Sequence, residues 1–161
     1  MALKLADYFT LGNFLSGVLA IFCVIEGFFI LSAILILFAV LFDFLDGRIA
    51  RFLKQQNSLG KELDSLADVV SFGVWPAVFG FSLGLNSSFA IAILLFFSSC
   101  GIYRLARFNI TKLKGFEGVP ITMNGILFPL IYLIFNYNNY VLIVYFVMGI
   151  LMISKFRIKK W

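Results

Sequence analysis

Histidine is absent from this 161-residue chain. Imidazole is therefore excluded from every general-base and metal-ligand role, and any demanding chemistry falls to carboxylates, hydroxyls, lysine or arginine. Only two cysteines occur, Cys23 and Cys100, each inside an apolar run. They read as small core residues, with no disulfide framework or cysteine metal site. Charge is also scarce, at 13% of residues, against 62% hydrophobic residues and a mean hydropathy of +1.03. Soluble domains are about 45–50% apolar. This much apolar surface excludes a water-soluble fold, and the 21 phenylalanines suit lipid contact. The N-terminal MALKLADYFTLGN has neither a basic segment leading into an apolar run nor a small-residue cleavage site, so no removable signal is expected.

What is there is a series of six apolar runs, over residues 10–25, 28–42, 69–85, 87–103, 119–135 and 140–154. They are continuous and do not alternate, which argues against a β-barrel. A spanning helix needs about 20 residues, so the shorter runs are expected to continue into their charged flanks. Tight connections at Glu26-Gly27, at Asn86 and over residues 136–139 favour antiparallel hairpins. All 13 lysines and arginines fall on one side of this layout, and the other side carries only Glu26. The expectation is an all-α integral membrane protein with six transmembrane helices, both termini cytoplasmic by the positive-inside rule, and a single domain over residues 1–161. The net charge of +5 fits orientation and contact with anionic headgroups; no nucleic acid is implied.

Residues 43–68, DFLDGRIARFLKQQNSLGKELDSLAD, break the apolar pattern with four aspartates. Asp43 and Asp46 are spaced i, i+3, and Asp64 and Asp68 i, i+4, so each pair shares a helix face. Counting about 1.5 Å per residue from the outer ends of their runs brings Asp43, Asp68 and Arg104 to one level near the cytoplasmic boundary. Four carboxylates in a partly dry site need countercharge. Oxygen ligands suit hard divalent cations, Mg2+ or Mn2+, and two such ions can clamp the oxygens of a phosphoryl transfer. Gly47 and Ala50 leave room for a ligand against the helix, and Arg51 is placed to reach phosphate oxygens.

These residues resemble the signature of the CDP-alcohol phosphatidyltransferase family, D-x-x-D-G-x-x-A-R-x8-G-x3-D-x3-D. Asp43, Asp46, Gly47, Ala50, Arg51, Gly60, Asp64 and Asp68 match it without a gap. The six-span layout resembles the family fold. The resemblance implies an enzyme in which the oxygen of a small alcohol attacks the lipid-side phosphorus of a CDP-lipid and CMP leaves. It implies that Asp43, Asp46, Asp64 and Asp68 bind two divalent ions and that Asp68 is also the base. Gly47, Ala50, Arg51 and Gly60 would belong to the CDP-lipid site. The segment TLGN, from Thr10 to Asn13, resembles a nucleotide-contacting segment, with helix capping as the alternative for Thr10 and Asn13. Asn57 or Ser58 would serve near the cytidine.

Further on, ELDSLADVVSFGVWPA, YRLARFN and FEGVP resemble the phosphatidylserine synthase branch, although Trp75 stands where that branch more often has a small residue. The implied donor is CDP-diacylglycerol or CDP-archaeol, and the implied acceptor L-serine. Arg104 and Arg107 are candidates for the serine carboxylate, with Ser71 and Asn109 as polar contacts. Glycerol 3-phosphate or an inositol phosphate would also want arginines, so charge alone leaves the alcohol open. A small cation transporter is the reading from a different class; transporters place ion sites near the midplane, which counts against it. The resemblance further implies a homodimer in the plasma membrane, among membrane lipids, with its active site facing the cytoplasm.

Overall fold

The computed structural model describes residues 4–54, 58–110, 116–135, 137, 140–154 and 157–158. It is built from helices: α1 (Leu5–Ile25), α2 (Phe29–Phe52), α3 (Ser58–Asp68), a π-helical segment (Val69–Val74), α4 (Trp75–Ser82), α5 (Ser88–Ile110), a 3-10 turn (Ile121–Met123), α6 (Asn124–Ile134) and α7 (Val141–Ile153). A two-residue antiparallel pair joins β1 (Phe116–Glu117) to β2 (Arg157–Ile158).

Four helical stretches are long and apolar enough to cross a membrane: Leu5–Ile25, Phe29–Phe52, Ser58–Ser82 and Ser88–Ile110. Ile121–Ile134 and Val141–Ile153 are apolar but shorter, about 20 Å each at 1.5 Å per residue. The flanks do extend the first runs. α1 starts five residues before Thr10, and α2 continues through the signature aspartates to Phe52.

α1 shows how the sequence is turned outside in. Leu15, Leu19, Phe22 and Ile25 are exposed, whereas Asp7, Thr10, Asn13, Ser16, Gly17, Ala20 and Val24 are buried. Steps of three and four put the polar and small residues on one stripe, and that stripe packs against α2 and α3. Small residues let helices approach closely where lipid supplies no hydrophobic drive. A Cβ at Gly17 would collide with the Ser71 hydroxyl.

Both early hairpin turns end in a left-handed glycine. Gly27 has φ +80°, and Phe28 N–H reaches back to Cys23 O at 2.7 Å while Gly27 N–H bonds Val24 O at 3.1 Å. Gly84, at φ +107°, repeats the arrangement, with Leu85 N–H on Gly80 O. This double bond is the Schellman termination, which favours glycine because a Cβ resists that conformation. The second turn is thus made at Gly84, two residues ahead of the expected Asn86.

Beyond the site, Trp75, Phe79, Phe97, Phe128 and Tyr145 are fully buried. Trp75 stacks on Phe79 at 4.6 Å and donates from Nε1 to Ser32 Oγ at 2.8 Å, while Ser32 Oγ donates to Ala20 O. The tryptophan that departs from the resembled branch is therefore a packing residue bridging α1, α2 and α4.

Candidate functional site

Carboxylate oxygens of Asp43, Asp64 and Asp68 lie within 4.8 Å of one another. Asp43 comes from α2, and Asp64 and Asp68 from successive turns of α3, so two helices supply the cluster. Asp46 stands apart from this trio: it is 6% exposed and accepts a hydrogen bond from Thr10 Oγ1 at 2.7 Å. The geometry of a helix explains the split. Residues i, i+4 diverge by roughly 40° and residues i, i+3 by roughly 60° around the axis. Asp64 and Asp68 stay together, while Asp46 turns from Asp43 toward α1.

Side chains from other elements orient these acids. Asn13 Nδ2 donates to Asp68 Oδ1 at 3.1 Å. Thr10 and Asn13 are thus interior residues of α1 that hold Asp46 and Asp68, not caps of its end. The Thr122 side chain, from the 3-10 turn, hydrogen-bonds Asp43. Sequence reading missed Thr122; nothing in the local pattern of FEGVPITMNG ties it to α2. Arg104 is 6% exposed and lies close enough to Asp68 for their charges to attract. Its Nε is buried without a hydrogen-bond partner.

The π-helical turn begins right after Asp68. Single π-helical turns inside α-helices are frequent at functional positions. Here Asn124 Nδ2 bonds Phe72 O at 3.2 Å, and Ser71 Oγ donates to Asn13 O at 3.2 Å. Ser71 is fully buried and tied to the α1 backbone.

A cavity of about 680 Å³ opens beside the acids, lined by Asp7, Thr10, Asp46, Gly47, Ala50, Arg51, Ser58, Gly60, Lys61, Asp64 and others. That volume suits a ligand larger than an ion. A Cβ at Gly47 would come no nearer than 3.9 Å to another group, the Arg51 guanidinium. The space above Gly47 is therefore open, with no side chain packed into it. Asn57 lies outside the described residues.

The remaining expected residues are placed as follows. Arg107 donates to Ile153 O at 3.0 Å and Ser154 O at 3.1 Å, across the C-terminal end of α7. Cations at that end satisfy orphan carbonyls. Asn109 Nδ2 donates to Ser65 Oγ at 2.9 Å, and its Oδ1 is buried without a partner.

An all-oxygen set of three carboxylates fits a hard divalent cation. Asp64 Oδ1 is buried without a hydrogen-bond partner, an acceptor left for a cation to satisfy.

A family model described as CDP-alcohol phosphatidyltransferase matches residues 3–155. The chain belongs to the CDP-alcohol phosphatidyltransferase family. The CDP-diacylglycerol–serine O-phosphatidyltransferase of Saccharomyces cerevisiae is 42% identical over 139 residues, covering 74% of this chain and 50% of that protein. The protein of the same name from Methanocaldococcus jannaschii is 37% identical over 161 residues, covering 99% of this chain and 75% of that protein. The archaetidylserine synthase of Methanothermobacter thermautotrophicus is 38% identical over 143 residues, covering 85% of this chain and 61% of that protein. The chain thus spans half to three quarters of these curated relatives.

Proposed function

We propose that this protein transfers the phosphatidyl or archaetidyl group of a CDP-linked lipid to the hydroxyl of L-serine and releases CMP. The observation that supports this best is the meeting of Asp43, Asp64 and Asp68 beside a cavity lined by Gly47, Ala50 and Arg51 of the same signature. The serine acceptor draws on the names of the relatives.

Asp43, Asp64 and Asp68, with Asp46, would hold two divalent cations, Mg2+ or Mn2+, which when bound supply positive charge to the pyrophosphate oxygens. Thr10 and Asn13 keep Asp46 and Asp68 aimed inward. Arg51 takes phosphate oxygens, and Gly47, Ala50, Ser58 and Gly60 leave space for the nucleotide. The serine oxygen forms a bond to the lipid-side phosphorus. The bond from that phosphorus to the bridging oxygen breaks, and CMP leaves with the bridging oxygen. Asp68 takes the hydroxyl proton. Arg104 holds the serine carboxylate and balances Asp68. Holding both substrates in line contributes about 7–11 kcal/mol.

In the membrane, the chain would act as one domain of six spans, the two short helices included, with termini and active site on the cytoplasmic side of the plasma membrane. It would work as a homodimer.

Purified protein in detergent, given a CDP-lipid and Mn2+, should release CMP when L-serine is added and far less with glycerol 3-phosphate or inositol phosphate. Release that depends on glycerol 3-phosphate would move the acceptor assignment, and no release with any alcohol would reopen a transport role.

Gly47→Ala separates folding from donor binding. Alanine favours a helix interior by about 1 kcal/mol over glycine, so the melting temperature should hold or rise. The added methyl enters ligand space, and overpacking costs about 1–3 kcal/mol, so the KM for the CDP-lipid should rise by about tenfold. An unchanged donor KM would remove Gly47 from the nucleotide site.

Thr122→Val removes the hydroxyl that orients Asp43 while keeping its shape. Partners of metal ligands contribute about 10–100-fold in affinity, so the Mn2+ concentration for half-maximal thermal stabilisation should rise by about tenfold, and Thr122→Ser should restore it. Equal Mn2+ titrations for wild type and Val would show that Thr122 is only a packing residue.

A further inference from the structure

Ser58–Ser82 runs as one helical stretch, but its winding changes in the middle. Trp75 N–H bonds Val70 O, five residues back. This π spacing holds one residue more than an α turn. Pro76 follows at the start of α4. It has no N–H, so the Phe72 carbonyl, four residues earlier, lacks its α-helical donor. Asn124, fully buried, supplies one from Nδ2 at 3.2 Å. Ser98 of α5 donates to the next carbonyl, Gly73 O, at 2.9 Å. Two side chains from two other helices thus satisfy successive carbonyls of the π turn, and a buried carbonyl without a donor is costly.

The extra residue sets the direction of the acids. One residue of an α-helix corresponds to about 100° around its axis. Tightening the π turn to α would rotate α3 against α4 by about that angle. α4 is anchored: Trp75 donates to Ser32 Oγ and stacks on Phe79, and Tyr145 donates to Pro76 O. The rotation would fall on α3 and carry Asp64 and Asp68 off the face that meets Asp43.

Asn124 lies where both arms of the acidic cluster can be held. Two residues before it, Thr122 hydrogen-bonds Asp43. One residue after it, a Cβ at Gly125 would strike both the Phe72 ring and Val40 of α2. The start of α6 therefore rests directly on α2 and on the π turn.

We propose that Asn124 is a positioning residue: by holding the Phe72 carbonyl it keeps the π turn open and, with Ser98, fixes the rotation of α3 that brings Asp64 and Asp68 to Asp43. Its effect on metal affinity rests on the divalent-cation reading above; its effect on geometry does not.

The test compares full-length wild type, Asn124→Leu, Ser98→Ala and Ser98→Thr in detergent. Leucine matches asparagine in size without a donor, and threonine keeps the hydroxyl. Melting temperature is followed against Mn2+. Separately, Asp43→Cys and Asp64→Cys are introduced together into each background with Cys23→Ser and Cys100→Ser, and the rate of bridging by a short bifunctional thiosulfonate is measured without metal. The Mn2+ concentration for half-maximal stabilisation should rise about tenfold in Asn124→Leu and less in Ser98→Ala, with Ser98→Thr near wild type. Bridging should slow in the same order. A lower metal-free melting temperature with an unchanged Mn2+ midpoint and unchanged bridging would make both residues packing groups and overturn the proposal. If Asn124→Leu does not fold, the Ala and Thr variants of Ser98 decide by the same two readouts. A wild type that Mn2+ does not stabilise would overturn the divalent-cation reading instead; the bridging rates then decide the proposal, slower bridging supporting it and equal rates overturning it.

Discussion

Asp68→Asn should bind CDP-lipid with near-wild-type affinity and turn it over about 10²–10⁴-fold more slowly. Asparagine preserves the shape of the side chain and can still accept the Asn13 amide bond that Asp68 receives at 3.1 Å. What it loses is the charge, the capacity to take a proton and one carboxylate of the set proposed to hold the cations, so donor binding is compared at saturating Mn2+. The proposed reaction gives the role of base to Asp68, a carboxylate 6% exposed within the acidic trio of a chain without histidine. Its neighbours on the donor side, Gly47, Ala50 and Arg51, are untouched by the change. Single-turnover CMP release and equilibrium binding of the CDP-lipid separate the two effects. Turnover close to wild type would remove Asp68 from the role of base.

Arg104→Gln should raise the KM for serine by roughly 10–100-fold while leaving the KM for the CDP-lipid near its wild-type value. Hydrogen bonds to charged groups contribute about 1.5–3 kcal/mol, and a bidentate guanidinium–carboxylate pair lies at the strong end. Arg104 is the buried arginine of the pair, facing Asp68 with an unpartnered Nε. Arg107 is held by the Ile153 and Ser154 carbonyls. Arg107→Gln should therefore lower thermal stability, through lost bonds at the end of α7, and leave the serine KM within a few-fold of wild type. If the two variants exchange these phenotypes, the acceptor site lies nearer Arg107.

The parts of this site that were legible in the sequence are those fixed by helical spacing within one segment. The i, i+4 pair of Asp64 and Asp68 had to share a face, and small residues at Gly47 and Ala50 had to leave an opening above α2. The apolar runs located the helices because they are continuous and do not alternate, although Ile121–Ile134 and Val141–Ile153 are shorter than the other four. What spacing left open depends on contacts between segments far apart in the chain. The i, i+3 spacing of Asp43 and Asp46 allowed a shared face, but packing against α1 turned Asp46 toward Thr10. Thr122 reaches Asp43 from the far end of the chain, and no local pattern announces that contact. The same holds for Arg104 and Arg107. Their spacing made them equivalent candidates, and tertiary contacts distinguish them: Arg104 is buried near Asp68, and Arg107 is held at the α7 terminus. The π-helical turn after Asp68 is likewise a tertiary outcome, secured by Asn124 on the Phe72 carbonyl.

The measurement closest to the central claim is the fate of the two products together. Purified protein in detergent is given a CDP-lipid, Mn2+ and isotopically labelled L-serine, and CMP and lipid-bound label are counted over the same interval. One lipid-linked serine for each CMP released, with both products formed about 10²–10⁴-fold more slowly by Asp68→Asn and neither formed after chelation of the metal, is the expected result. CMP release without label in the lipid would mean that water is the acceptor and the chain is a hydrolase, contradicting the account of Arg104 and of the serine site.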